Sequence, residues 1–188
     1  PWENAWLTFA CSWRGFAASS DRLGGRKQAA HPERLPPMKE TITDTLFTPE
    51  QLAARVAELG ARITRDYQGK EPLVVVVLKG SAIFASDLMR RIDLPVKLDF
   101  IGTSSYGDST VSSGIVRIVK DIEESLTGRD VIVVEDIVDT GLTLHYLLKT
   151  LQLRRPASLR VCSLLDKPSR RKAEVQVDYL GFEIDDHF

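Results

Sequence analysis

Leu52, Val56, Leu59 and Ile63 recur at spacings of four, three and four. That spacing places them on one stripe of a helix. Thr48-Pro49-Glu50-Gln51 stands just ahead of the stripe. It reads as a helix start: a threonine cap, proline at the first helical position and glutamine three residues after the cap. After the turn-like Gly69-Lys70-Glu71-Pro72 the pattern changes to the unbroken run Leu73–Leu78, LVVVVL. A β-branched run without polar alternation predicts a strand buried on both faces, hence a central parallel strand. Residues 81–91 read as helix. Val96–Ile101 and Ile115–Val119 read as strands, with the Ser-, Gly- and Thr-rich stretch 102–114 between them as a mobile loop. Thr127-Gly128-Arg129-Asp130 turns the chain into a second buried strand, Val131–Val134. Leu144, Leu147, Leu148 and Leu151 mark another helix. Leu159–Leu165 and Val177–Ile184 are further strands. Strands alternating with helices predict an α/β domain with a mostly parallel sheet flanked by helices. Ligands of such sheets bind at the carboxyl ends of the strands.

Composition narrows the function classes. The chain has 188 residues, 43% hydrophobic and 27% charged, with 12 Gly and 9 Pro. Collagen-like, coiled-coil and wholly disordered chains are excluded. The formal charge of −1 gives no drive toward phosphate backbones, so no nucleic-acid partner is expected. No apolar run approaches the roughly 18–20 residues of a membrane span. Two cysteines, Cys11 and Cys162, are too few for a disulfide framework or a zinc site. A reducing, cytoplasmic setting fits. Trp2, Trp6 and Trp13, the only tryptophans, lie in the first 13 residues. Residues 1–37 show no sustained period, carry +2 against −3 for the remainder, and end in Pro36-Pro37 before Met38. They read as a poorly ordered or non-native extension, and residues 38–188 as the domain.

The second buried strand leads into Glu135-Asp136-Ile137-Val138-Asp139-Thr140-Gly141-Leu142-Thr143. Each part has a chemical use. The backbone N–H groups at 140–143 and the dipole of the following helix make an anion site suited to phosphate. Gly141 lets the backbone come close, and Thr140 and Thr143 add hydroxyls. Glu135 and Asp136 can accept hydrogen bonds from vicinal hydroxyls or hold a divalent cation. Asp139 can take or give a proton. Neither GxxxxGK[ST] nor GxGxxG is present, so this is not a Walker loop or a dinucleotide fingerprint.

VIVVEDIVDTGLTL resembles the phosphoribosyl-diphosphate (PRPP) motif of the type I phosphoribosyltransferases. Leu78-Lys79-Gly80 resembles the diphosphate loop of their hypoxanthine-guanine branch, and Ser105-Tyr106 the closing lid. Leu165-Asp166-Lys167-Pro168 with Arg171 resembles the purine-side segment, and Phe182–Phe188 the small hood. The resemblance covers about residues 40–188. It implies the type I phosphoribosyltransferase fold and the conversion of hypoxanthine or guanine with PRPP to IMP or GMP and diphosphate, with Mg²⁺. Asp139, Thr140, Gly141, Leu142 and Thr143 would cradle the 5′-phosphate. Glu135 and Asp136 would face the ribose hydroxyls and the metal. Asp139 would handle the purine N7 proton. Lys79, Gly80 and Arg171 would meet diphosphate, and the Leu78–Lys79 peptide would be cis. Lys167 would donate to the purine O6, and Phe188 would stack on the base. A homo-oligomer, dimer or tetramer, is implied.

A PRPP- or nucleotide-sensing regulator on the same fold is the alternative, and the acid at 139 with Lys167 favours the enzyme. His145 reads as a solvated or capping histidine. His31 and His187 have no partners at metal-ligand spacing, and Cys162 reads as an inert core thiol. In the family the sequence continues past the position of Phe188 with a small apolar residue and a magnesium-binding aspartate. The chain as it stands is therefore expected to hold the PRPP half of the site and to bind purine poorly.

Overall fold

Leu73–Leu78 forms β1, and its side chains divide between two cores as the pleat requires. Val74 and Val76 face one layer of helices, while Leu73, Val75 and Val77 face the other. The computed structural model describes residues 45–105 and 116–185. In chain order the elements are α1 (Pro49–Asp66), β1, α2 (Ser81–Met89), β2 (Lys97–Ser105), β3 (Val116–Lys120), β4 (Asp130–Val138), α3 (Leu142–Gln152), β5 (Ser158–Asp166), a single 3₁₀ turn (Pro168–Arg170) and β6 (Tyr179–Glu183).

The chain divides into two compact units, Pro1–Leu52 and Ala53–Phe188. Of the first, residues 45–52 are described, and they hold the start of α1. There Thr48 N–H donates to Gln51 Oε1 at 2.7 Å and Gln51 N–H to Thr48 Oγ1 at 3.3 Å, the reciprocal cap that the sequence predicts.

In the second unit the strands form one sheet in the order β3-β2-β1-β4-β5-β6. β2, β1, β4, β5 and β6 are parallel, and β3 runs antiparallel to β2 at the edge. Val56, Leu59 and Ile63 of α1 and Phe84, Ala85 and Leu88 of α2 pack on Val74, Val76, Ile132 and Val134. Leu144, Leu147 and Leu151 of α3 pack on the opposite face, against Val75, Val131, Val133 and Val161. Each fully buried aliphatic side chain stabilises by roughly 1.5–3 kcal/mol, so these two cores drive the fold. After β1 the chain crosses to β2 on one side, yet β4 joins β1 on the other. The strand order therefore reverses between β1 and β4, and a crevice opens at their carboxyl ends.

Several boundaries differ from the sequence reading, among them the last strand, Tyr179–Glu183 rather than Val177–Ile184. β4 runs on to Val138 rather than stopping at Val134, because β5 continues beside it and pairs as far as Val138 with Asp166. β2 runs to Ser105 because β3 offers Arg117 and Val116 as partners for Ser104 and Ser105. α2 stops at Met89, where Arg91 N–H bonds back to Leu88 O at 2.9 Å and tightens the last turn. Residues 1–37, Tyr106, Ile115 and Phe188 lie outside the described residues.

Candidate active site

A cavity of about 190 Å³ occupies that reversal point. Val77 and Leu78 line it from β1, Thr103 from β2, Glu135, Ile137 and Val138 from β4, and Asp139, Thr140, Gly141, Thr143 and Leu144 from the following turn and helix. The crossover thus gathers most of the acidic and loop residues singled out in the sequence around one space.

The floor is the turn from β4 into α3. Gly141 caps the helix in the left-handed region, at φ 77°, and offers no side chain to the first turn, where Leu142 N–H donates to Thr140 Oγ1 at 3.5 Å. The helix therefore presents backbone donors and the positive end of its dipole to the cavity. No acceptor among the described residues takes the N–H of Thr140 or Gly141. A Cβ on Gly141 would stand 2.7 Å from Ala173 O and 3.0 Å from Arg171 Cδ. Glycine is thus required there both by φ and by space.

Glu135 lines the cavity, whereas Asp136 lies against Gly80 at the start of α2, where a Cβ would run into its carboxylate. Gly80 therefore has a steric reason as well as a place beside the site. The Leu78–Lys79 peptide before it is cis, and Lys79 is exposed. Burial, the negative charge of Asp136 and a hydrogen bond with Asp136 together push the Glu135 carboxyl up to about 9.

That donor set fits a magnesium ion shared with substrate. Among the described residues no three carboxylate, imidazole or thiolate side chains converge on one point. Mg²⁺ is commonly held by one or two carboxylates with substrate oxygens completing the shell. Glu135 and Asp136 are the residues that would hold it, and a cation beside them would favour the charged form of Glu135.

The shift at Glu135 has a measurable consequence in metal-free protein. The folded carboxyl binds its proton more tightly than the unfolded one. The contribution of Glu135 to stability is therefore fully present below the ordinary carboxylate pKa and is lost as pH rises toward about 9. Glutamine cannot ionise. Urea unfolding in EDTA should show wild type losing up to about 1 kcal/mol per pH unit relative to Glu135→Gln across that window. Parallel curves would show that Glu135 is not desolvated.

The segment after β5 lies directly behind the loop. Lys167 is buried, and its N–H donates to Val138 O at 2.9 Å. Arg170 Nε approaches Asp139 Oδ1 at 2.9 Å, an ion pair without the alignment of a hydrogen bond. Arg171 pairs with Asp166 and donates to the Asp139 carbonyl at 3.1 Å. Its guanidinium is thus held beneath the turn that carries Asp139, Thr140 and Gly141. Sequence reading missed Arg170 and Asp166 as neighbours of the site. The adjacent pair Arg170-Arg171 after Pro168 was the available signal, and only the 3₁₀ turn separates their directions.

His145 donates from Nδ1 to Glu174 O at 3.0 Å, so it anchors α3 to the following segment. Cys162 is fully buried, and burial pushes its thiol pKa up, as expected of an inert core cysteine. Ser105 ends β2.

Residues 43–188 match the family model described as a phosphoribosyl transferase domain. The chain belongs to that family. It is 47% identical over 151 residues to a hypoxanthine-guanine phosphoribosyltransferase of Bacillus subtilis, covering 80% of this chain and 84% of that one. It is 50% identical over 154 residues to a hypoxanthine phosphoribosyltransferase of Haemophilus influenzae, covering 80% and 86%. Among solved structures, a hypoxanthine-guanine phosphoribosyltransferase from Bacillus anthracis superposes with a TM-score of 0.71 at 49% identity, over 77% of this chain and 84% of that one. A hypoxanthine phosphoribosyltransferase from Staphylococcus aureus gives 0.74 at 46% identity, over 77% and 78%. The sheet, with its single antiparallel edge strand, is the type I phosphoribosyltransferase fold.

Proposed function

We propose that this phosphoribosyltransferase serves purine salvage, moving the 5-phosphoribosyl group of PRPP to hypoxanthine or guanine and releasing diphosphate. The observation that supports this most is the convergence of a phosphate-binding helix terminus, a buried carboxyl and Asp139 on one cavity. The bond from ribose C1 to diphosphate breaks as the bond from C1 to the purine ring nitrogen forms, giving IMP or GMP. The N–H groups and hydroxyls at 139–143 bind the 5′-phosphate. Glu135 and Asp136 accept from the ribose hydroxyls and stand near the positive charge that builds on the ring. Asp139 takes the proton that leaves purine N7. Lys79 and the Gly80 backbone face the departing diphosphate. Magnesium, when bound, supplies positive charge against the charge building there. Ser105 and Tyr106 belong to a lid that excludes water. Phe188 stacks on the base. The reading carries with it a cytoplasmic homo-oligomer, which fractionation and light scattering test.

Lys167 selects 6-oxopurines by donating to O6. Charge-assisted hydrogen bonds contribute about 1.5–3 kcal/mol. Lys167→Met should therefore raise the KM for hypoxanthine roughly 10–100-fold and leave that for PRPP nearly unchanged. Steady-state kinetics with each substrate varied decides it, and an unchanged hypoxanthine KM would remove Lys167 from the purine site.

A further inference from the structure

A peptide group is planar, so pinning the carbonyl of one residue fixes the direction of the next residue's N–H. The carbonyls of the phosphate loop are pinned one after another from behind. Asp139 O accepts from Arg171 Nη1 at 3.1 Å. Thr140 O accepts from the N–H groups of Lys172 at 2.9 Å and Ala173 at 3.2 Å. Gly141 O accepts from His145 N–H at 2.8 Å. The N–H groups on the far side of those three peptide planes belong to Thr140, Gly141 and Leu142; Thr140 and Gly141 line the cavity, and Leu142 N–H turns back to Thr140 Oγ1 at 3.5 Å.

The second and third pins are backbone groups. The first is a side chain, so its position depends on a partner. That partner is Asp166, whose carboxylate takes Arg171 Nη2. Both side chains are largely buried, at 19% and 11% exposure. Asp166 is itself held in the sheet, in register with Val138 and Glu183, and its carbonyl accepts from Ile184 N–H at 2.8 Å. The planar guanidinium spans from this fixed carboxylate to the loop carbonyl, which a point-like ammonium cannot do. The Arg171 stem also fills the space beneath Gly141.

We propose that Asp166 and Arg171 are positioning residues, a brace that aims the Thr140 N–H at the 5′-phosphate and does not touch diphosphate. The proposal rests on the reading of 140–143 as the 5′-phosphate site. Two probes separate the ends of PRPP: ribose 5-phosphate, and diphosphate with Mg²⁺. In calorimetric titrations, Asp166→Asn and Arg171→Lys should each weaken ribose 5-phosphate roughly tenfold, the worth of one charge-assisted hydrogen bond, and change diphosphate less than about twofold. Asp166→Asn/Arg171→Lys together should cost no more than the worse single change. Unchanged ribose 5-phosphate affinity, or diphosphate falling in step with it, would overturn the brace, as would fully additive losses. Arg171→Lys keeps the charge, so it decides the matter if Asp166→Asn does not fold. Thr143→Val serves as the control on a residue that meets the phosphate itself. If that variant binds ribose 5-phosphate normally, the phosphate reading fails; if it binds weakly while the brace variants bind normally, only the brace fails.

Discussion

Asp139→Asn is expected to lower turnover by roughly 10²–10⁴-fold, the usual worth of a general acid or base, with PRPP affinity changed by no more than about threefold. The asymmetry follows from where the groups lie. The Asp139 carbonyl is the atom that Arg171 holds, and its N–H belongs to the main chain. Asparagine keeps both, along with the shape of the side chain. It loses the titratable oxygen that Arg170 approaches at 2.9 Å, and with it the acceptor for the purine proton. Pre-steady-state turnover and equilibrium PRPP binding, measured on the same preparation, separate the two effects. An equal loss in both would make Asp139 a structural residue of the loop.

Gly141→Val is expected to remove PRPP binding, by about 100-fold or more, and to destabilise the fold as well. A left-handed φ costs a β-branched residue about 1–3 kcal/mol. Here the new Cβ would also meet Ala173 O at 2.7 Å, a backbone atom with no rotamer to change. The loop must then move off the 166–173 segment, and two or more N–H donors lose their aim. Hydrogen bonds to a charged group contribute about 1.5–3 kcal/mol each, which sets the 100-fold scale. Gly69→Val is the matched control. It carries the same φ, 76° against 77°, but a Cβ there meets nothing within 4 Å. It should lower the melting temperature through strain and leave PRPP affinity alone. Equal PRPP affinity in the Gly141 variant and wild type would show that the loop does not hold the phosphate.

The architecture was legible because the two central strands bury both faces. LVVVVL and VIVV admit no solvent-facing position, so a parallel sheet with helices on both sides was the available solution. The helix stripe at Val56, Leu59 and Ile63 was equally readable, since a helix that packs on one side keeps its apolar residues at that spacing. Strand ends were less legible. Glu135 and Asp136 look like loop residues by type, yet they belong to β4 because β5 supplies hydrogen-bond partners that no local pattern announces. Ser104 and Ser105 entered β2 for the same reason.

The candidate site divides in the same way. Glu135, Asp139, Thr140, Gly141 and Thr143 are close in sequence, and a strand-to-helix turn must bring them to one place. Their convergence was therefore readable from order and spacing. Arg170 and Arg171 are neighbours in sequence, and their type predicts only two cations. The 3₁₀ turn at Pro168–Arg170 sends one to the Asp139 carboxylate and the other to Asp166 and the Asp139 carbonyl. The layers and the place of the acid-bearing turn were readable from residue types, because they depend on burial patterns and on contacts within a few residues. The tertiary structure alone decided where β4 ends, how Asp136 meets Gly80 and which partner each arginine takes. Those outcomes depend on hydrogen bonds, an ion pair and close packing, mostly between segments some 30 to 55 residues apart, and a pattern of residue types does not encode direction over that distance.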